Sequence, residues 1–290
     1  MFQGTGTALI TPFDEDLKVD YKDLKKLVKF QLDNKVDFLV VLGTTGESAV
    51  IDDEERKQII ETVIAEVNGK IPVVIGTGTN DTRKVVKLNK MAEDLKADGV
   101  LIVNPYYNKG TQTSLVEHYK YISERTQLPI IVYNVPSRTA MNILPDTILK
   151  IHQSCSNVVA VKEASGDISQ IAKLIAMKHE SLTVLSGNDD QTLAVMALGG
   201  KGVISTFSNS FPLQMWEITN AMRNRDLEFA RKLHNKYLAM MNLLFVETSP
   251  MPVKFACSYL GLCKNKLRLP LIPISSNLES MISQEIERLK

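Results

Sequence analysis

Lys162 is the residue around which chemistry can be built in this chain. It follows the apolar run Val158-Val159-Ala160-Val161 and precedes Glu163. An amine so placed is either a rim lysine, its stem on apolar surface and its ammonium in water, or a nucleophile at a dry cavity mouth. The lysine alone leaves both readings open. For the second, at an ordinary pKa of about 10.4 only about one molecule in 2,500 carries a neutral amine at pH 7, and depression to roughly 7–8 is needed, a shift of about 3–4 kcal/mol. Desolvation by apolar walls supplies the larger share of such a shift and a nearby cation, with Arg138 as the candidate, adds to it.

Other apolar runs end in compatible groups. Tyr133 closes the run from Ile130 and could shuttle a proton to and from a neighbouring amine; taken alone, it reads first as a core aromatic whose hydroxyl finds a backbone partner. Thr44 and Thr45, between Gly43 and Gly46, present N–H groups and hydroxyls to a carboxylate, or form a plain turn. Arg138 could fork a second carboxylate, or remain a solvated loop arginine. Brought together on one face, these groups describe an amine nucleophile, a proton carrier and two carboxylate holders.

The elements that must bring them together are short and repetitive. Thr7 to Ile10, Phe38 to Leu42, Val73 to Ile75, Val100 to Val103, Ile130 to Tyr133, Val158 to Val161, Thr183 to Leu185 and Val203 to Ile204 each read as a buried parallel strand. Helical patterns lie between them, such as Ile59, Ile60, Val63, Ile64 and Val67, which leave Glu55, Arg56 and Glu66 on the outer face. Asp52 and Glu55 are spaced as a capping box, and Gly69 is placed to stop that helix. Eight strands alternating with helices predict an α/β fold, a (β/α)8 TIM barrel, whose active site occupies the C-terminal ends of the strands. From about Pro212 helical patterns take over, at Ala221 to Phe245, Pro252 to Leu260 and Asn277 to Leu289. The expected division is a barrel carrying the active site over 1–223 and a C-terminal helical domain over 224–290.

Composition narrows the function classes. The chain has 290 residues, 44% of them hydrophobic, and its 34 basic and 33 acidic side chains leave a net charge of +1. No charged face points to nucleic acid or to an acidic membrane, so the expected partner is a small molecule. Gly4-Thr5-Gly6, Gly76-Thr77-Gly78 and Gly199-Gly200-Lys201 all fall short of a phosphate-binding fingerprint. His118, His152, His179 and His234 lack metal-ligand spacing, and Cys155, Cys257 and Cys263 read as reduced core thiols. With neither a leader-like N-terminus nor a membrane-length apolar run, the expected location is the cytoplasm.

The motifs themselves resemble a known family. Gly43-Thr44-Thr45-Gly46-Glu47, Tyr133-Asn134-Val135-Pro136-Ser137-Arg138-Thr139 and Val161-Lys162-Glu163-Ala164 are similar to those of pyruvate-dependent class I aldolases. Thr11-Pro12-Phe13, Pro105-Tyr106-Tyr107-Asn108, Ser186-Gly187-Asn188-Asp189, Gly202-Val203-Ile204-Ser205 and Pro250-Met251-Pro252-Val253-Lys254 resemble the dihydrodipicolinate synthase branch. The resemblance implies condensation of pyruvate with L-aspartate 4-semialdehyde to 4-hydroxy-tetrahydrodipicolinate, on the diaminopimelate route to lysine. It implies a Schiff base on Lys162 and no separate cofactor or metal. Tyr133, Thr44 and Tyr107 would relay protons, Tyr107 reaching in from a partner subunit. Thr45 would hold the pyruvate carboxylate and Arg138 that of the aldehyde, with backbone groups of Gly187 and Ile204 lining the pocket. A homotetramer of tight dimers, or a dimer, is the expected assembly.

Two rivals remain at this level: the same chemistry on a sugar-derived aldehyde, as in N-acetylneuraminate lyase, and a silent barrel that senses a keto acid. Arg138 with Tyr106 and Tyr107 favours a short acidic aldehyde, and an intact Lys162 and Tyr133 speak against the sensor. One departure bears on regulation. Ser48, Ala49, Asn80 and Tyr106 match the pattern of lysine-inhibited members, but Asp53, Arg56 and Lys84 stand where those members often carry two histidines and a glutamate. Lys84 would repel the ammonium that a glutamate attracts. Feedback by L-lysine is therefore expected to be weak or absent; half-inhibition at sub-millimolar lysine would overturn this.

Overall fold

The computed structural model describes residues 2–290, and its strands are β1 (Gly4–Ala8), β2 (Phe38–Val41), β3 (Val73–Gly76), β4 (Gly99–Val103), β5 (Ile130–Asn134), β6 (Val158–Glu163), β7 (Thr183–Ser186) and β8 (Gly202–Ser205). Each pairs in parallel with the next, and β8 pairs with β1 to close the barrel. Eight helices occupy the connections: α1 (Tyr21–Asp33), α2 (Asp53–Val67), α3 (Thr82–Asp94), α4 (Gln112–Ser123), α5 (Pro136–Thr139), α6 (Pro145–Ser154), α7 (Ile168–Met177) and α8 (Thr192–Ala197). After β8 come α9 (Pro212–Arg223), α10 (Leu227–Leu243), α11 (Met251–Tyr259) and α12 (Ser276–Leu289). Among the described residues, no helix is long and apolar enough to cross a membrane.

The period-two alternation of strands divides the core in two. Val40, Val74, Leu101, Ile131, Ala160, Leu185 and Ile204 fill the barrel interior, capped at the N-terminal end by Phe2 against Phe38, whose ring centroids lie 5.7 Å apart. Val41, Ile75, Ile102, Val132, Val161, Val184 and Val203 face outward into the helices. Lys162, one residue beyond outward-facing Val161, is thereby directed inward.

The elements differ from the sequence expectation at four places. The first strand runs over Gly4–Ala8 rather than Thr7 to Ile10, because its threonines are buried through hydrogen bonds instead of hydrophobicity. Thr5 Oγ1 meets Thr219 Oγ1 of α9 at 2.8 Å, and Thr7 Oγ1 donates to Gln31 Oε1 of α1 at 2.7 Å. Arg56 is not on an outer face: it is buried, and its Nη2 donates to the Ser48 carbonyl at 3.0 Å. The helix expected from Ala221 to Phe245 is two helices, broken where Arg225 takes a left-handed φ of 64° and Asp226 caps α10 by accepting from Phe229 N. The Asp52–Glu55 capping box is present, but Asn68, with φ 47°, ends α2 one residue before Gly69.

β1 can lie against β2 only because position 6 lacks a side chain. A Cβ there would stand 2.2 Å from the Phe38 ring. Replacing Gly6 with Ala is expected to destabilise the fold by about 1–3 kcal/mol through overpacking, read as a lower midpoint in denaturant unfolding.

Candidate active site

At the C-terminal end of the barrel a cavity of about 400 Å³ is lined by Thr44, Thr45, Tyr133, Arg138, Lys162 and Gly187. Lys162 and Tyr133 are directly opposed in the β5–β6 register, and the lysine Nζ lies 4.4 Å from the centroid of the tyrosine ring. Lys162 does not stand at the end of its strand. β6 continues through Glu163, which seats the amine inside the barrel with only 6% of the residue exposed.

That depth sets its chemistry. Burial pushes the Lys162 ammonium down to about 8, Asp189 pulls the other way, and Arg138 adds to the depression. At such a value roughly one amine in ten is neutral at pH 7, against about one in 2,500 for a free lysine. Burial raises the Tyr133 phenol, opposed by Arg138 and by the hydrogen-bonding side chain of Thr44, so the phenol holds its proton at neutral pH and is a donor. A phenol beside a partly neutral amine is an arrangement for passing one proton back and forth.

Local structure explains the placement of the remaining groups. Gly43 to Glu47 leaves β2 in a 3-10 turn over Thr44–Gly46, terminated by Glu47 in the left-handed region at φ 53°. The turn leaves Thr44 exposed to the cavity and buries Thr45. α5, started by Pro136, carries Arg138, whose Nη2 donates to the Ser249 carbonyl at 3.0 Å. Gly187 is required by close approach: a Cβ there would fall 2.5 Å from the Ala164 Cβ and 3.1 Å from Lys162 Cε.

Two residues of the expected set are not among those that line this cavity. Ile204 packs in the barrel interior, and Thr206, two residues on, is the lining residue from that strand end. Tyr107, expected to act in a partner's site and not in this one, is 92% exposed and holds a left-handed φ of 68°.

Other contributors had no such assignment in the sequence. Asp189, named in the sequence only as the last residue of a motif, is buried, and its Oδ2 accepts from the backbone N–H groups of Thr206 and Phe207 at 3.1 and 2.9 Å. Burial raises its carboxyl to about 6 against these bonds and against the attraction of Lys162. The Ser186-Gly187-Asn188-Asp189 motif was the available signal. The segment from Phe245 to Ser249, between α10 and α11, forms part of the cavity wall. It has neither strand nor helix periodicity to mark it.

With this geometry in place, the profile of the dihydrodipicolinate synthetase family matches residues 1–289. The chain belongs to that family. A 4-hydroxy-tetrahydrodipicolinate synthase of Thermotoga neapolitana is 49% identical over 97% of both chains. The dihydrodipicolinate synthase structure from Thermotoga maritima superposes with a TM-score of 0.98 at 46% identity, covering 100% of this chain and 99% of that one. The chloride-inhibited dihydrodipicolinate synthase of Acinetobacter baumannii, solved in complex with pyruvate, gives a TM-score of 0.98 at 38% identity over 100% and 99% of the two chains. As a dihydrodipicolinate synthetase family member the chain is an enzyme, a lyase of the class I aldolase type with a TIM-barrel fold.

In this family member an ion pair fixes the Thr44–Thr45 turn from behind. Glu47 and Lys254 are both fully buried and bonded to each other, Glu47 Oε2 also accepts from Arg268 N at 3.2 Å, and Lys254 Nζ lies 4.2 Å from the Phe13 ring centroid. Lys254→Met leaves a buried carboxylate without its cation and is expected to cost about 3–5 kcal/mol. The double replacement Glu47→Leu with Lys254→Met should recover much of that stability. Equal unfolding midpoints for the wild type and Lys254→Met would overturn the assignment.

Proposed function

We propose that the chain joins pyruvate to L-aspartate 4-semialdehyde through a Schiff base on Lys162, giving 4-hydroxy-tetrahydrodipicolinate and one water, at the entry to the diaminopimelate and lysine pathway. The observation that carries this reading is the buried, depressed amine of Lys162 set against Tyr133 in a cavity with carboxylate-holding groups. Full-length similarity to proteins named 4-hydroxy-tetrahydrodipicolinate synthase supports the choice of aldehyde.

The neutral amine attacks C2 of pyruvate; the carbinolamine loses water to an imine, the proton moves travelling through Tyr133 and Thr44. Thr45, with the N–H groups of its turn, holds the pyruvate carboxylate. Loss of a C3 proton gives an enamine, whose C3 attacks the aldehyde carbon and forms the new C–C bond, while Arg138 holds the second substrate's carboxylate. The substrate amine then displaces Lys162 from C2 by transimination, closing the ring and freeing the enzyme. Lys162 is itself the covalent group, so the cycle calls for no separate cofactor.

Tyr107 enters as a residue donated to a partner's relay, supported by its 92% exposure on a left-handed turn, and a homotetramer built from dimers is the corresponding assembly. The natural setting of such a small-molecule enzyme is the cytoplasm.

Incubation with pyruvate and borohydride should leave an adduct on the peptide containing Lys162, and Lys162→Ala should abolish it. Because only the neutral amine attacks, the trapping rate should rise about tenfold per pH unit up to about 8 and level above it. An adduct elsewhere, or a rate falling as pH rises toward 8, would sink the mechanism. A higher kcat/KM for N-acetylmannosamine than for aspartate semialdehyde would leave the Schiff base and overturn the aldehyde.

A further inference from the structure

The catalytic cavity holds a charge that the attack on pyruvate does not use. Two cations line it, Lys162 and Arg138, and Glu247 is the only acidic side chain on its wall among the described residues. The simpler role for Glu247 is structural. Its Oε1 accepts from Ser275 N at 3.1 Å and from Ser275 Oγ at 2.6 Å, and Ser275 in turn caps α12 by accepting from Leu278 N. A carboxylate beside the first turn of a helix suits that role. Capping engages one oxygen only. Among the described residues Oε2 has no hydrogen-bond partner and no cation pairs with the carboxylate, although the residue is half-buried at the cavity wall.

The placement of Glu247 relative to Arg138 gives the free oxygen a use. Arg138 Nη2 donates to the Ser249 carbonyl at 3.0 Å, two residues beyond Glu247 in the same stretch of wall. At about 3.3–3.6 Å of chain per residue, the backbone positions of Glu247 and Ser249 are no more than about 7 Å apart. A cation and an anion therefore meet the cavity at one short segment. Once Lys162 has become the neutral enamine, these two are the charges left on the wall. A carbon that bears both a carboxylate and an ammonium matches the pair, the guanidinium taking the first and the free carboxylate oxygen the second.

We propose that Glu247 is a specificity-determining residue: its Oε2 holds the α-ammonium of the second substrate while Arg138 holds the carboxylate on the same carbon, so that the site selects an aldehyde that is also an α-amino acid. The inference rests on the function proposed above and names the residue by which that site tells its aldehyde from one without an amine. Glu247 acts on the binding of the aldehyde and not on the attack of Lys162 on pyruvate.

The test is steady-state kinetics of the full-length enzyme with L-aspartate 4-semialdehyde, set beside inhibition by succinate semialdehyde, the same acid aldehyde without the amine. In Glu247→Gln the amide oxygen still accepts from Ser275, so the cap is kept while the charge is lost. kcat/KM for aspartate semialdehyde is expected to fall about tenfold or more, and the inhibition constant for succinate semialdehyde to move less than about twofold. Glu247→Asp keeps the charge on a shorter stem and should show the same selective loss at about threefold, which keeps the test decisive if Glu247→Gln fails to fold. Ser275→Ala removes the cap contact, keeps the carboxylate, and should leave the preference between the two aldehydes as in the wild type. A selective loss absent from both Glu247 variants, a parallel loss for both aldehydes, or the same selective loss in Ser275→Ala would each overturn the inference, the last two by making Glu247 a prop for the wall. A wild type that traps pyruvate on Lys162 yet does not turn over aspartate semialdehyde would instead overturn the aldehyde proposed above, and this inference with it.

Discussion

Removal of water from one ammonium group constrains everything near the mouth of this barrel. Lys162 is drawn into the interior because β6 extends past its apolar run and because alternation sends every second side chain inward. Closure of eight strands then supplies walls on all sides, which no open sheet would do for a residue at its edge. The resulting depression of the amine is largely a solvation effect. The nearest modulators act in opposite directions, Arg138 lowering the value and Asp189 raising it, so the site holds the amine near the pH at which it must both attack and be released.

The groups that serve the amine come from distant parts of the chain and are held by different means. Tyr133 is fixed by strand register, Gly187 by the backbone's close approach to Ala164 and Lys162, and Thr44 and Thr45 by a turn that ends in a left-handed glutamate. That glutamate is bonded to Lys254 of α11, and Arg138 is bonded to Ser249 just before it. The C-terminal helices therefore do more than pack beside the barrel. α11 carries one half of the ion pair beneath the catalytic turn, and the segment leading into it carries the carbonyl that orients the arginine. A change in those helices would reach the chemistry through the turn and the arginine.

Strand order and chemistry were legible in the sequence to unequal degrees. Seven of the strands announce themselves as short β-branched runs because hydrophobic burial is recorded directly in residue type. The first strand does not, since Thr5 and Thr7 are buried through hydrogen bonds to partners more than twenty residues away. The identities of Lys162, Tyr133, Thr44, Thr45, Arg138 and Gly187 could be read from motifs, but only the closed barrel brings them around one cavity. Arg56 reads as an exposed helix residue, and Asp189 as no more than the end of a motif. Their burial is decided by neighbours that a local pattern does not contain, as is the wall formed by Phe245 to Ser249. Sequence by itself determined which residues could react and the alternation that spaces them. Tertiary structure decided which of them lose their water, because desolvation is a sum over all surrounding elements and not a property of any one segment.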